Sequence, residues 1–576
     1  MAYLHQYDYI FAIGIIFAAL DAWNIGANDV ANSFATSVSS RSLTMKQAMC
    51  IASVMEFVGA MSVGARVADT IRTKVIDVSQ FENEPSILML GMTCAVIGSS
   101  VYLTIATKLG LPVSTTHSIM GGVIGVGIAT LGANGVHWGW DGVAQVFAAW
   151  AIAPGIAGCF GAIVFLITKF GVMKRSNPIR NAFISAPFYF FLTAALLAML
   201  IVWKGASSKI DLDDGGIAGT IVGTGAVVSL LSILFLLPYV YRKLFKDDWQ
   251  LKWYHFVLGP LLLRRPDPPP RPENVADVVD YYAGHLTRDE LDAMRASQAG
   301  VPPDPEKNGP QHVGPVSDVS SDEAQSHGRA PVLHGKAPKD SSQNIPPRPT
   351  GPWYRPAVAW WLFQRIVFRG VEKDVVGSQS HDRSFLAKNI EDMHARASHF
   401  DNKAEYMYSF LQVLTASTSS FAHGANDISN AVGPFATVYL IWSTGELNNK
   451  TPVPSWSLAF CGGCLVIGLW TYGYNIMRNL GNRITLHSPS RGFSMELGSA
   501  ITVVMATQLA LPVSTTQCIT GATVGVGLCN GDWRTINWRM VAWIYGGWII
   551  TLPCAGILSG CIMGIIINAP QWGNAL

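Results

Sequence analysis

Two heptapeptides carry the residues best suited to chemistry, Gly26-Ala27-Asn28-Asp29-Val30-Ala31-Asn32 and Gly424-Ala425-Asn426-Asp427-Ile428-Ser429-Asn430. Both read GAND-x-x-N. A second pair of strings, Leu111-Pro112-Val113-Ser114-Thr115-Thr116-His117 and Leu511-Pro512-Val513-Ser514-Thr515-Thr516-Gln517, repeats in the same order. The interval from Asp29 to Thr115 is 86 residues and that from Asp427 to Thr515 is 88, so both motifs belong to one long duplicated unit. Carboxylate and amide oxygens are ligands for small hard cations, which makes Asn28, Asp29, Asn426 and Asp427 cation candidates. Ser114, Thr115, Thr116, Ser514, Thr515 and Thr516 offer hydroxyl donors to an oxyanion. A helix starting after Pro112 or Pro512 would add free backbone N–H groups, and Gly121, Gly122 and Gly125 permit close packing beyond it. No Lys or Arg belongs to the repeated core. A divalent anion would therefore meet Asp29 and Asp427 with strong repulsion in a low dielectric, and bound cations must intervene.

These motifs lie in segments that belong in a bilayer. Half of the 576 residues are apolar and only 14% are charged, far from the composition of a soluble domain. Apolar stretches of roughly the 20 residues needed to span hydrocarbon fall near 9–34, 47–65, 87–107, 109–131, 143–168, 182–203, 215–241, 404–442, 456–476, 494–510, 511–530 and 540–568. The expected fold is an all-α polytopic membrane protein of about twelve segments. The first stretch has no basic region before it, which argues against a cleaved signal peptide. Asp21, Asn24, Asn28, Asp29 and Asn32 crowd into it, and with Gly26 beside them this span is expected to be broken and to line a site.

Residues 242–403 separate an N-terminal membrane half (1–241) from a C-terminal one (404–576). This stretch holds Pro268-Pro269-Pro270 and Pro302-Pro303 and reads as a largely disordered loop. Trp249–Leu263 and Trp360–Val371 within it mix aromatics with basic residues, as interfacial helices do, although ordinary loop hydrophobics fit equally. Basic residues at its ends (Arg242, Lys243, Lys246, Lys252; Arg383, Lys388, Arg396, Lys403) make it cytoplasmic by the positive-inside rule. Connections 39–46, 169–181 and 477–493 then fall inside, 132–142 and 443–455 outside, and both termini face outward. The sequon Asn449-Lys450-Thr451 sits in an outside connection. With this threading the two GAND segments run in opposite directions. Inverted repeats with interrupted segments mark secondary transporters, whose substrate lies near the midplane between the repeats.

GANDVAN, HGANDISN and the paired PVSTT strings, with Val63-Gly64-Ala65-Arg66 and Thr70-Ile71-Arg72, resemble the inorganic phosphate transporter (PiT) family, in particular its fungal sodium-coupled branch. The resemblance covers nearly all of the chain outside 245–400. It implies phosphate import by symport with sodium, re-entrant hairpins and a homodimer, with a plasma-membrane location. Phosphate would lie at the six Ser and Thr residues and sodium at Asp29 and Asp427, as co-substrate, with no further cofactor. Ala35 stands where many members have Gly, and Gln517 departs from the expected second His.

Asn32, Asn430, Glu56, Glu496 and His117 are coupling candidates, the two glutamates because isolated carboxylates in apolar helices are costly. For any single Ser or Thr the plainer reading is helix packing, and for His117 a packing role. Proton coupling and a phosphate sensor signalling through Ser320-Ser321 or Ser341-Ser342 are the alternative functions. No Ser/His/Asp set occurs in both repeats, so no catalytic residue is assigned. A net charge of +2 with no basic run offers nothing to nucleic acid. All nine cysteines lie in or beside apolar segments, where a thiol acts as a small hydrophobe. Among them, Cys461 and Cys464 have metal-site spacing but no second pair to complete it.

Overall fold

Every one of the twelve apolar stretches is helical in the computed structural model. It describes residues 4–73, 75–140, 142–202, 213–272, 278–298, 348–367, 385–387, 390–447, 453–508, 511 and 513–569, except the side chains of 66–73, 298, 366–367, 385 and 507–508. The membrane helices are α1 (Asp8–Ser39), α2 (Met45–Thr73), α3 (Pro85–Leu109), α4 (Thr115–Leu131), α5 (Val143–Thr168), α6 (Pro178–Leu200) and α7 (Asp214–Leu244) in the first half. Those of the second half are α8 (Asn402–Thr444), α9 (Ser455–Leu480), α10 (Pro489–Gln508), α11 (Thr515–Leu528) and α12 (Trp538–Asn568). Among the described residues eight helices are long and apolar enough to cross a membrane, and α8 is excluded from them only by its polar content.

The repeat is visible as exchanged partners. Helix α1 packs along α9 while its counterpart α8 packs along α2, and α4 packs on α12 while α11 packs on α5. Small residues allow these approaches. A Cβ on Gly26 would lie 2.0 Å from the Leu465 carbonyl oxygen, and one on the equivalent Gly424 would lie 2.2 Å from that of Glu56. Gly121 and Gly521 repeat the device against Leu552 and Pro154, with distances of 2.4 and 2.2 Å. Helices α1 and α8 run antiparallel: Leu4 N donates to Trp442 O at 2.8 Å at one end, Phe11 stacks on Trp442 with centroids 4.3 Å apart, and Ser40 Oγ donates to Gln412 at the other. The repeats are inverted.

Two hairpins are re-entrant. The connection before α3 pairs with the one after α4 through His137 N and Val75 O at 3.0 Å and a bridge between Ile76 and Val136. The chain therefore leaves on the side it entered. In the second repeat Asn537 N donates to Ile484 O at 2.9 Å and Thr485 Oγ1 donates to Thr535 O at 2.9 Å, closing α10–α11 in the same way.

The expected break at Gly26 is corrected by the structure. Helix α1 is continuous for 32 residues, and Asn24 and Asn28 find partners on α3 and in the turn after it. Asn24 Nδ2 donates to Thr104 Oγ1 at 3.0 Å and Asn28 Nδ2 to Leu111 O at 3.1 Å. Gly26 serves close packing on α9 instead. The break falls between α3 and α4, where Gly110 has a φ of +72°, a conformation that suits glycine, and Leu111–Ser114 run without helix.

The flanks of the central loop lie on the bundle. Tyr282 Oη donates to the buried Glu405 at 2.8 Å, Arg41 Nη2 to Ala283 O at 2.8 Å, and Arg396 pairs with Asp532 at 3.0 Å. Residues 253–264 form 3-10 turns with Trp253, Val257 and Leu261 exposed, and Pro356–Val367 is helical. Asn449, Ser320, Ser321, Ser341, Ser342 and residues 368–371 lie outside the described residues.

Candidate functional site

The two GAND segments meet where α1 and α8 cross the N-termini of α4 and α11. Ser114 and Ser514 precede those helices, so both begin at the threonine pair that the proline strings anticipated. Thr115 Oγ1 donates to Asp29 Oδ2 at 2.9 Å and Thr516 Oγ1 donates to Asp29 Oδ1 at 3.2 Å. The second repeat mirrors this: Thr515 Oγ1 donates to Asp427 Oδ2 at 3.0 Å and Thr116 Oγ1 to Asp427 Oδ1 at 3.3 Å. Each aspartate thus takes the first threonine of its own repeat and the second threonine of the other.

Asn32 Nδ2 donates to Asp29 Oδ1 at 3.1 Å and lies 2.8 Å from Thr516 Oγ1, and Asn430 Nδ2 lies 3.2 Å from both Thr115 Oγ1 and Thr116 Oγ1. The eight side chains are all at most 8% exposed. Two helix N-termini add partial positive charge beside the carboxylates. What brings the halves of the sequence together is therefore a crossed network, 487 residues apart at its longest link.

The remaining expected residues separate. Both atoms of the Asn28 amide hold the α3–α4 turn, accepting from Val113 N at 3.1 Å and donating to Thr107 Oγ1 and Leu111 O. Asn426 Nδ2 reaches Asp427 Oδ1 at 3.4 Å. Ser114 Oγ accepts from His117 N at 3.2 Å and so caps α4; Ser514, at the same position of α11, makes no such cap. His117 is buried edge-on to Trp150 with centroids 5.9 Å apart. Neither of its ring nitrogens has a hydrogen-bond partner, and neither does the amide of its repeat counterpart Gln517. Glu496 is buried in a separate pocket, accepting from Thr36, Ser37 at 2.8 Å, Gln412 at 3.2 Å and Thr415.

Glu56 leads to a residue that the repeat analysis passed over. Its Oε2 lies 2.9 Å from Nδ1 of His423, whose Nε2 lies 3.0 Å from Asp427 Oδ2 and 3.6 Å from Asp29 Oδ2. Asp29, His423 and Asp427 present ligand atoms within 4.8 Å of one another. The signal was in the sequence: His423 directly precedes the second GAND, where the first copy has Ile25, so a search for matched residues discards it. Chemically it changes the charge balance. Three acids, Asp29, Glu56 and Asp427, face one imidazole, so acidic groups outnumber the single basic one.

A model of the phosphate transporter family matches residues 25–559. The chain belongs to that family. It is 58% identical to the phosphate-repressible phosphate permease pho-4 of Neurospora crassa, over 99% of each chain. It is 28% identical to the sodium-dependent phosphate transporter 1 of Rattus norvegicus, over 97% of this chain and 96% of that one. A solved structure described as the sodium-dependent phosphate transporter superposes with a TM-score of 0.64 at 24% identity, covering 98% of this chain and all of the other; it supports the all-helical fold. These relatives are transporters rather than enzymes, and the transporter described here is an integral membrane protein.

Proposed function

We propose that this transporter imports inorganic phosphate by symport with sodium ions, binding both at the crossed network between its repeats. The observation that carries this reading is the exchange of threonines between Asp29 and Asp427. It joins two carboxylates and four hydroxyls at two helix N-termini, an arrangement suited to cations on one side and a phosphate oxyanion on the other. Sodium would be held by Asp29 and Asp427, with His423 and the Asn32 and Asn430 amides beside it. Once sodium occupies the carboxylates, the hydroxyls of Thr115, Thr116, Thr515 and Thr516 would turn from Asp29 and Asp427 to donate to phosphate, with Ser514 and the unpartnered His117 and Gln517 in the same helix turns as further donors. Coupling follows from charge: without cations the site repels phosphate. The sodium-dependent relatives agree with this.

Proton coupling is the second reading, favoured by the Glu56–His423 contact, because a carboxylate and an imidazole in contact can share a proton. The rest of the proposal places residues 242–403 in the cytoplasm between two membrane halves and both termini outside. It adds a homodimer in the plasma membrane, glycosylated at Asn449. Uptake of labelled phosphate into proteoliposomes under separately imposed sodium and proton gradients tests the coupling. Accumulation driven by sodium at equal pH supports symport with sodium. Equal accumulation by a proton gradient in sodium-free medium overturns it, and binding without accumulation would make the protein a sensor.

A further inference from the structure

Asp21 is wholly buried on α1, two helical turns before Asp29, and the crossed network does not use it. Its Oδ2 has no hydrogen-bond partner. Its Oδ1 has one, Ser100 Oγ at 3.3 Å, and that hydroxyl lies nearer to two other acceptors, Val96 O at 2.7 Å and Phe17 O at 3.0 Å. A serine hydroxyl has a single proton to donate, and Ser100 shares it among Asp21 and the two helix carbonyls, while the neighbouring Ser99 hydroxyl donates to Ser118 Oγ at 3.0 Å. Asp29, by contrast, accepts from three donors. None of the ion pairs among the described residues includes Asp21. A neutral acid could donate from Oδ1 to Ser100 Oγ but would leave Oδ2 without a partner, and an ionised one would leave a buried charge uncompensated, which costs several kcal/mol. A bound cation supplies the missing charge and takes Oδ2 as a ligand together with the other oxygens.

We infer that Asp21 Oδ1 and Oδ2, Ser100 Oγ and the Phe17 and Val96 carbonyls form a separate site for a dehydrated monovalent cation. A continuous polar seam connects it to the crossed network. Asn24 bonds Ser100 O and Thr104, and Asn28 bonds Thr107 and the Leu111 carbonyl, one helical turn at a time toward Asp29. Asp21, Asn24, Asn28 and Asn32 follow the i, i+3, i+7, i+11 spacing of one helix face. The second repeat buries its own carboxylate, Glu496, in the corresponding seam between α8 and α10, but surrounds it with four side-chain donors. The Asp21 site lies toward the end of the bundle where α1 begins, which the proposed orientation makes the outside, so it receives a cation ahead of the central site.

This inference rests on the sodium symport proposed above, and the test separates the two. Sodium-driven uptake of labelled phosphate is measured in proteoliposomes holding the full chain, with labelled sodium counted in parallel. Wild type is compared with Asp21→Asn and Ser100→Ala. Asp21→Asn is expected to raise the half-saturating sodium concentration by roughly tenfold or more and to lower the sodium-to-phosphate flux ratio by one ion. Phosphate KM at saturating sodium stays unchanged. Ser100→Ala shifts sodium dependence in the same direction by less, and Ser100→Thr, which keeps the oxygen, restores it. Unchanged sodium dependence and flux ratio in Asp21→Asn overturn the site, as does a change confined to pH dependence at fixed sodium. If Asp21→Asn does not reach the membrane, an unchanged Ser100→Ala overturns it. Wild-type uptake that ignores sodium instead overturns the symport, and this site with it.

Discussion

Replacing Asp29 by Asn tests the central site with almost no change of shape. The carboxylate accepts from Thr115, Thr516 and Asn32, and an amide oxygen keeps part of that set while the threonine hydroxyls, which can rotate, accept from the new amide. Folding is therefore retained. The substitution also relieves a site in which three acids face one histidine, so thermal stability holds or rises. The cost falls on the cation. An ion among Asp29, His423 and Asp427, whose ligand atoms lie within 4.8 Å of one another, is within about 4 Å of each charge. One elementary charge at that distance contributes on the order of 4 kcal/mol at an effective dielectric of 20. At 1.4 kcal/mol per decade, losing it weakens sodium binding about a thousandfold, so uptake at millimolar sodium disappears. By linkage, phosphate binding at fixed sodium weakens too. The assay is labelled phosphate uptake against sodium concentration in proteoliposomes, with a melting curve on the same preparation. An Asp29→Asn protein with a wild-type half-saturating sodium concentration would refute the reasoning.

Three further outcomes follow from the packing. Gly26→Ala and Gly424→Ala each place a methyl within 2.2 Å of a backbone carbonyl oxygen; overpacking against backbone should lower stability by roughly 1–3 kcal/mol or more, read as lost monodispersity and a lower Tm, and a wild-type Tm would contradict the closeness of α1 to α9. Deleting residues 299–347 should leave the uptake kinetics intact, because the docked flank at Tyr282 and Ala283 is kept; extending the deletion through 278–285 should reduce stability, and equal behaviour of the two deletions would show that the docking contributes nothing. Burial lowers the pKa of His394, in the loop outside the bundle, to about 4. A histidine depressed in the folded state contributes stability that is full above its unfolded value of about 6.5 and is lost as pH falls toward 4; His394→Gln should flatten that part of the Tm-against-pH curve, and an unaltered curve would remove His394 from it.

Much of the bundle was legible because bilayer spans are written in long apolar runs and the repeat in matched strings. Twelve stretches mapped onto twelve helices, and Asp29 lies against Thr115 and Thr516 of the repeated strings. What escaped depended on the neighbour. Gly26 reads identically whether it bends a helix or admits a carbonyl, and only the position of Leu465 decides for packing. The partners that let α1 stay helical, Ser100, Thr104 and Thr107, sit 76–80 residues away in a helix that looked merely apolar. His423 escaped for the opposite reason. A search for symmetry finds what two repeats share, and this residue is where they differ.

That difference bears on how an almost symmetric site can favour a direction. Asp29 and Asp427 hold equivalent threonines at 2.9–3.3 Å, so the crossed network alone treats both faces alike. Its links run between repeats, however, and any rocking of one repeat against the other must lengthen the bonds from Thr516 to Asp29 and from Thr116 to Asp427 together. In the proposed site, occupancy and geometry are therefore linked: a cation that draws both carboxylates inward would stabilise the arrangement in which all four threonines converge on phosphate. His423 and Glu56 break the equivalence, since they add an imidazole and a third carboxylate from α8 and α2 only. The order in which ions and phosphate leave then need not reverse the order in which they enter, which a symmetric site could not achieve.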